Sequence, residues 1–125
     1  IIQKAVELGA SSIVPVMMAR SNVRLDDKKA DRKAERLAEI AKSAAEQSKR
    51  GILPEVASPK RFADAIATAK KIALLVSPEG GISEEEWQAA TCAGFQSVSL
   101  GRRILRTETA GLCLLSFLML HLENA

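Results

Sequence analysis

The residues whose types and spacing could do chemistry fall in two polar loops. Arg102, Arg103 and Arg106 stand within a window of five residues and lead into hydroxyl and acidic side chains. About twenty residues earlier, residues 78–81 (Pro-Glu-Gly-Gly) combine a rigid residue with two glycines, which let a ligand approach the backbone closely. Each loop follows an apolar run and precedes a helical pattern. Loops at the carboxyl ends of neighbouring strands hold the ligand in α/β proteins, so we expect a binding site here.

The same loops also have a purely structural interpretation. Residues 78–81 could be an ordinary strand-to-helix turn, and Thr107 or Thr109 could cap the last helix. Arg106 could pair with Glu108 on the surface for little energy. Neither GxGxxG nor GxxxxGK occurs, which excludes the usual glycine-rich nucleotide cradles.

Composition limits the class of protein. The 125 residues suffice for one domain, residues 1–125, and 47% hydrophobic with 26% charged residues is typical of a globular chain. Aromatic residues make up 3% and tyrosine is missing, which argues against a base-stacking platform for single-stranded RNA. The net charge of +3 is compatible with a nucleic-acid partner without indicating one.

Cysteine usage and hydropathy indicate the compartment. Cys92 and Cys113 show no CxxC spacing, and the chain has a single histidine, so we predict no metal site and a reduced, cytoplasmic protein. The apolar run over residues 111–122 is too short to cross a bilayer, so we expect no membrane partner.

Strand and helix patterns alternate along the chain. Helical spacing predicts helices over residues 1–8, 28–49, 61–70 and 109–122, and a further helix opens at Ser83 and ends at Gly94. Ser83 followed by Glu86 predicts a capping box for that helix. Apolar runs predict strands over residues 12–18, 72–76 and 97–100, with a short edge strand at 55–57. The order predicts an α/β fold, a mostly parallel sheet flanked by helices.

Four stretches resemble one known family: residues 3–9 (Gln-Lys-Ala-Val-Glu-Leu-Gly), 45–48 (Ala-Glu-Gln-Ser), 78–81 with the acidic helix start, and 100–109. The chain resembles the SPOUT (α/β-knot) methyltransferases, and among them the ribosomal RNA small subunit methyltransferase E family, which methylates N3 of a uridine in small-subunit ribosomal RNA. It departs from the family pattern in three places. Ser77 and Lys49 replace common glycines, and Arg102 replaces a common proline.

The resemblance implies a C-terminal deep trefoil knot that binds S-adenosylmethionine (SAM), an obligate homodimer with the last helix in the subunit contact, and ribosomal RNA as substrate. The family also has an N-terminal RNA-binding β-barrel domain, which we expect to be absent from this chain because Ile1 already lies inside a helical pattern. By position, the implied cofactor-binding residues are Leu75, Val76, Ser77, Glu79, Gly80, Leu100, Gly101, Ile104, Leu105, Arg106 and Thr109.

Methyl transfer to a uracil N3 requires alignment with the sulfonium methyl and loss of the N3 proton. Arg106 and Arg20 are candidates to stabilise the uracil anion or to contact phosphate, and Glu46 is a candidate to orient them or to accept the proton. Two alternatives stay open. One is a knotted methyltransferase acting on another RNA position, such as a ribose 2′-OH. The other is a non-catalytic dimeric module that binds RNA or a nucleotide.

Overall fold

The structure is a computed structural model that describes residues 1–21, 26–69 and 72–125. Its elements follow in the order α1 (Ile2–Glu7), β1 (Ser12–Ile13), β2 (Val16–Met17), α2 (Asp27–Gln47), β3 (Glu55–Val56), β4 (Lys60–Arg61), α3 (Phe62–Ala67), α4 (Glu84–Cys92) and α5 (Thr107–Glu123). The predicted helices are therefore all found, with shifted bounds; Lys70, the predicted end of the third helix, lies outside the described residues. No helix within the described ranges is long and apolar enough to cross a membrane.

The strands differ from the prediction. The predicted strand over residues 12–18 is two short strands, because Pro15 between them has no N–H to donate to a ladder. β1 pairs in parallel with β3, and β2 pairs in parallel with β4, as two separate two-stranded sheets. The parallel pairing with flanking helices is confirmed, whereas a single sheet is not found among the described residues.

Residues 72–76 and 97–100 were predicted as strands, and this prediction is wrong for the described residues, which form no ladder there. Ile72, Val76 and Val98 are exposed. An apolar run indicates that a segment tends to be buried. A β-strand, however, forms only where a second segment makes ladder hydrogen bonds with it.

Two hydrophobic clusters hold the elements together. The first joins α1 to α2 through Val6, Ala41, Ala44 and Ala45, since small alanines let the two helices approach closely. The second is built around Met18, Phe62 and Ala90 and joins the β2 end to α3 and α4. This second cluster supports the polar loop at residues 76–81.

Three helices end with the same pair of backbone hydrogen bonds. After α1 the N–H of Gly9 and Ala10 bind the carbonyls of Val6 and Ala5, and α4 ends in the same way at Gly94. Both glycines were predicted to end their helices, and both have the positive φ that this type of helix end requires. After α2 the corresponding position is Lys49, with φ of 55°. Lys49 therefore adopts a backbone conformation that favours glycine.

Arg50 fixes the end of α1 from outside the helix. Its Nη1 donates to the carbonyls of Val6 at 2.9 Å and Ala10 at 2.8 Å, and its Nη2 donates to that of Gly9 at 3.3 Å. Carbonyls at a helix C-terminus lack partners within the helix and attract a cation. Arg50, three residues after the end of α2, therefore holds the C-terminal end of α1 in place.

Candidate cofactor-binding site

The first polar loop is held by the core at both of its ends. Leu75 and Ile82 pack against the cluster of Met18, Phe62 and Ala90. Between them, the N–H of Gly81 donates to the carbonyl of Pro78 at 2.9 Å and closes a tight turn, in which Gly81 has φ of 78°. The conformation of the turn is thus determined by this hydrogen bond and by the packing at its two ends.

Arg20 lies directly over this turn. Its Nη1 donates to the Gly80 carbonyl at 3.2 Å. A methyl group at position 80 would stand 3.0 Å from the Arg20 carbonyl oxygen and 3.2 Å from its Cβ, so this close approach favours a glycine. The structure therefore brings together two of the residues predicted for the site, Arg20 and Gly80, although they are sixty residues apart in sequence.

The helix that follows the turn begins with the predicted capping box, which is confirmed. Ser83 Oγ accepts from the Glu86 N–H at 3.2 Å, and Glu86 Oε2 accepts from the Ser83 N–H at 3.0 Å. The neighbouring Glu85 carries a lowered pKa, caused first by its own backbone N–H, then by the Ser83 hydroxyl, with a smaller contribution from the Arg20 charge. Negative charge is stabilised at this end of α4.

Glu86 has a second role that the sequence did not predict. Its Oε1 accepts from the N–H of Ala19 at 2.6 Å, and the residue is only 7% exposed. Its carboxylate thus connects the start of α4 to the segment that carries Arg20. The capping pattern was the only signal in the sequence, and it indicates a local bond, not this distant one.

The second polar loop leads into α5. Gly101 has φ of 102°, and no atom of the described residues lies within 4 Å of where a Cβ would stand. Arg106 is the N-cap residue of α5 without a side-chain capping bond, and no ion pair in the described ranges joins it to Glu108. The structure therefore shows neither a capping bond from Thr107 or Thr109 nor the Arg106–Glu108 pair among the described residues. The Arg106 guanidinium is exposed and makes no hydrogen bond to any described residue.

Several backbone groups in both loops have no backbone partner among the described residues. The N–H and C=O groups of Leu75, Val76 and Ser77 make no backbone hydrogen bond in the part of the chain that the structure describes, and the same holds for residues 102–105. Gly111 of α5 lies against the side chain of Val76, which brings the first turns of α5 beside the first loop. Free donors and acceptors on such loops can hold a polar ligand through main-chain atoms.

Glu46 is the predicted site residue that the structure does not connect to the others. It is exposed on α2, and within the described ranges no side-chain hydrogen bond or ion pair joins it to Arg20 or Arg106. Its predicted role in orienting the arginines has no contact to support it.

A cleft of about 370 Å³ lies elsewhere, between α1 and α5. It is lined by Glu7, Leu8, Gly9, Arg50, Ser116, Met119, Leu120 and Glu123. None of the predicted cofactor-binding residues lines it, so the cleft is separate from the two loops.

Comparisons with known proteins show the family to which this chain belongs. The family model described as RNA methyltransferase domain matches residues 1–71 and 64–119. The chain therefore belongs to the RNA methyltransferase domain family.

Within that family, the chain is similar to ribosomal RNA small subunit methyltransferase E. It is 36% identical to the protein of that name from Bacillus subtilis, over 98% of this chain and 60% of the relative. It is 32% identical to the one from Mesomycoplasma hyopneumoniae, over 92% of this chain and 60% of the relative. The chain thus spans about 60% of the length of these curated relatives.

Solved structures show the same similarity. A Legionella pneumophila protein with the bound cofactor SAM superposes with a TM-score of 0.88 at 31% identity, over 96% of this chain and 59% of that one. Ribosomal RNA small subunit methyltransferase E from Neisseria gonorrhoeae, bound to S-adenosyl methionine, gives 0.82 at 36% identity, over 94% and 58%.

The alignments also contain positions that this chain lacks. The alignment with the Bacillus subtilis relative runs over 155 residues, whereas 98% of this chain is about 122 residues, so about 33 aligned positions have no counterpart here. The two stretches that match the family model overlap at residues 64–71. The relatives therefore carry internal segments for which this sequence has no equivalent.

Proposed function

We propose that this chain is a SAM-binding methyltransferase domain that transfers a methyl group to N3 of a uridine in small-subunit ribosomal RNA. Its relatives carry the name ribosomal RNA small subunit methyltransferase E, and two structural neighbours were solved with SAM. The observation in this chain that carries the proposal is the pair of loops at residues 75–77 and 102–105, whose backbone groups have no backbone partner among the described residues.

The residues present fit such a cofactor. SAM combines an adenosine with an amino acid, and main-chain donors and acceptors match the polar edges of both. The open space beside Gly101, with its positive φ, leaves room for a ligand against the backbone. We assign the cofactor to Leu75, Val76, Ser77, Glu79, Gly80, Leu100, Gly101, Ile104, Leu105, Arg106 and Thr109, in the knotted arrangement that the family resemblance implies.

When bound, SAM supplies the electrophilic methyl group. The chain aligns the acceptor base with that methyl group and stabilises the base once its N3 proton has been lost. Uracil N3 attacks only after losing its proton, so a cation near the base lowers the free energy of the anion. Arg106 suits this role because its guanidinium is exposed, at the start of α5, without a hydrogen bond to any described residue. Arg20 uses one donor on Gly80 and keeps its other N–H groups for a phosphate or the base.

We further propose that the domain acts as a homodimer through α5. This helix has no buried residue in the single chain, and Phe117 and Leu120 are 67% and 60% exposed. Apolar side chains in such number on one helix favour a protein partner. The exposed thiols of Cys92 and Cys113 suit the reducing cytoplasm, where ribosomal RNA lies.

Calorimetric titration of the 125-residue chain with SAM, together with the mass of the particle in solution, tests this function. We expect saturable binding at one site per subunit of a dimer. A folded dimer that does not bind SAM would instead indicate the non-catalytic binding module, and the methyltransferase assignment would be withdrawn. Binding of SAM with methylation found at a ribose 2′-OH would keep the cofactor site and change the target.

A further inference from the structure

Both side-chain oxygens of Glu86 accept hydrogen bonds near the candidate site. Oε1 accepts from the Ala19 N–H at 2.6 Å and Oε2 accepts from the Ser83 N–H at 3.0 Å. A capping box needs only the second of these bonds. The first reaches a residue sixty-seven positions away, next to Arg20.

The two segments that Glu86 joins also contact each other directly. Arg20 donates to the Gly80 carbonyl, and the Arg20 backbone packs against the face of Gly80 that has no side chain. Glu86 is buried while Arg20 and Gly80 are exposed. The buried Glu86 side chain, with its two hydrogen bonds, therefore lies behind a solvent-facing contact between two residues assigned to the site.

We propose that Glu86 is a positioning residue for methyl transfer, which holds the Arg20 segment against the 78–81 turn and so fixes the shape of the cofactor loop. This inference rests on the proposed function for its consequence in catalysis. The effect of such a group comes through alignment, since small displacements of a positioned group cost much of its contribution. Glu86 itself need not touch SAM or the base.

Two variants separate the positioning role from helix capping. Glu86→Gln keeps the shape of the side chain but replaces one acceptor oxygen with a donor, so one of its two N–H partners is left unsatisfied. Ser83→Ala removes the cap hydroxyl, weakens the start of α4, and leaves the bond from Ala19 to Glu86 in place. Glu84→Gln, on the exposed side of the same turn, is the matched control.

Amide hydrogen exchange, measured without any ligand, tests whether Glu86 couples the Arg20 segment to the 78–81 turn. In Glu86→Gln we expect exchange at both Ala19 and Gly81 to accelerate about tenfold or more, whereas Ser83→Ala keeps Ala19 slow. Faster exchange at Ala19 with Gly81 unchanged would show that the two segments are not coupled, and would overturn the inference.

Titration with SAM then measures how the loss of this coupling changes the affinity for the cofactor. We expect Glu86→Gln to weaken SAM binding about tenfold, and Ser83→Ala and Glu84→Gln to weaken it less than threefold. Equal losses in Glu86→Gln and Ser83→Ala would leave Glu86 as a cap alone. Failure of the unmodified chain to bind SAM would count against the proposed function, while the exchange data would still decide whether Glu86 couples the segments.

Discussion

Gly111 of α5 lies so close to Val76 that a methyl group at position 111 would stand 2.9 Å from Val76 Cγ2. Glycine within a helix costs about 1 kcal/mol relative to alanine. The chain carries that cost at the point where its last helix meets the first polar loop, because no larger residue fits without moving a stiff β-branched side chain.

Gly111→Ala should therefore destabilise the protein despite its better helix propensity. Overpacking costs about 1–3 kcal/mol, so we expect a net loss of about 1 kcal/mol in the free energy of unfolding, measured in urea. Gly51→Ala is the control, since no described residue has an atom within 4 Å of its added methyl group, and its free energy of unfolding should change by less than about 0.5 kcal/mol. Adding Val76→Ala to Gly111→Ala should recover part of the loss; no recovery would mean that this contact is not the cause.

Arg106→Ala tests the proposed cation at the acceptor base. The side chain makes no hydrogen bond to any described residue, so the free energy of unfolding should change by less than about 0.5 kcal/mol. Loss of a charge that stabilises a developing anion should slow methyl transfer about a hundredfold. Single-turnover transfer of labelled methyl from SAM to small-subunit ribosomal RNA measures this.

The control for this variant is Arg103→Ala, which removes an exposed arginine from the same loop. Its rate should stay within about threefold of the unmodified chain, since general electrostatic attraction to RNA is shared among many cations. Equal losses in the two variants would assign Arg106 to RNA attraction and remove it from the chemistry.

Arg50→Ala should be among the more destabilising single changes in the first half of the chain. It leaves three carbonyls at the end of α1 without their charged donor, which costs about 2 kcal/mol in the free energy of unfolding. Lys42→Ala, an exposed cation on α2, should change it by less than about 0.5 kcal/mol. Similar values for the two would show that the Arg50 contacts contribute no more than a surface charge.

Lys49→Gly should stabilise the protein. At φ of 55° a lysine carries a steric cost that glycine does not, and this outweighs the extra flexibility of glycine in the unfolded chain by about 0.5 kcal/mol. Gln47→Gly, inside the last turn of the same helix, should destabilise by about 1 kcal/mol. A lower melting temperature for Lys49→Gly would contradict the strain argument.

The features that the sequence predicted well are local ones. Ser83 and Glu86 are three residues apart, so their capping box depends only on the residues between them, and it was found as expected. The helix ends at Gly9 and Gly94 likewise follow from the conformation of one residue.

The features that escaped prediction depend on distant partners. Arg50 donates to carbonyls about forty residues earlier in the sequence, and Glu86 accepts from the N–H of Ala19, which is 67 positions away. Residues 72–76 and 97–100 have the composition of strands, but a ladder needs a partner. Neither run pairs with another strand among the described residues, and composition alone could not indicate this.

The contact between α1 and α5 has a consequence for how the chain reaches its fold. Gly9 lies against Met119, about 110 residues away, so this contact can form only after nearly all of the sequence has been synthesised. The cluster of Val6 with Ala41 and Ala44 lies in the first half of the chain and can form much sooner. Long-range closure is slow compared with local packing. A nascent chain should therefore pack α1 against α2 before α5 can reach its place beside α1.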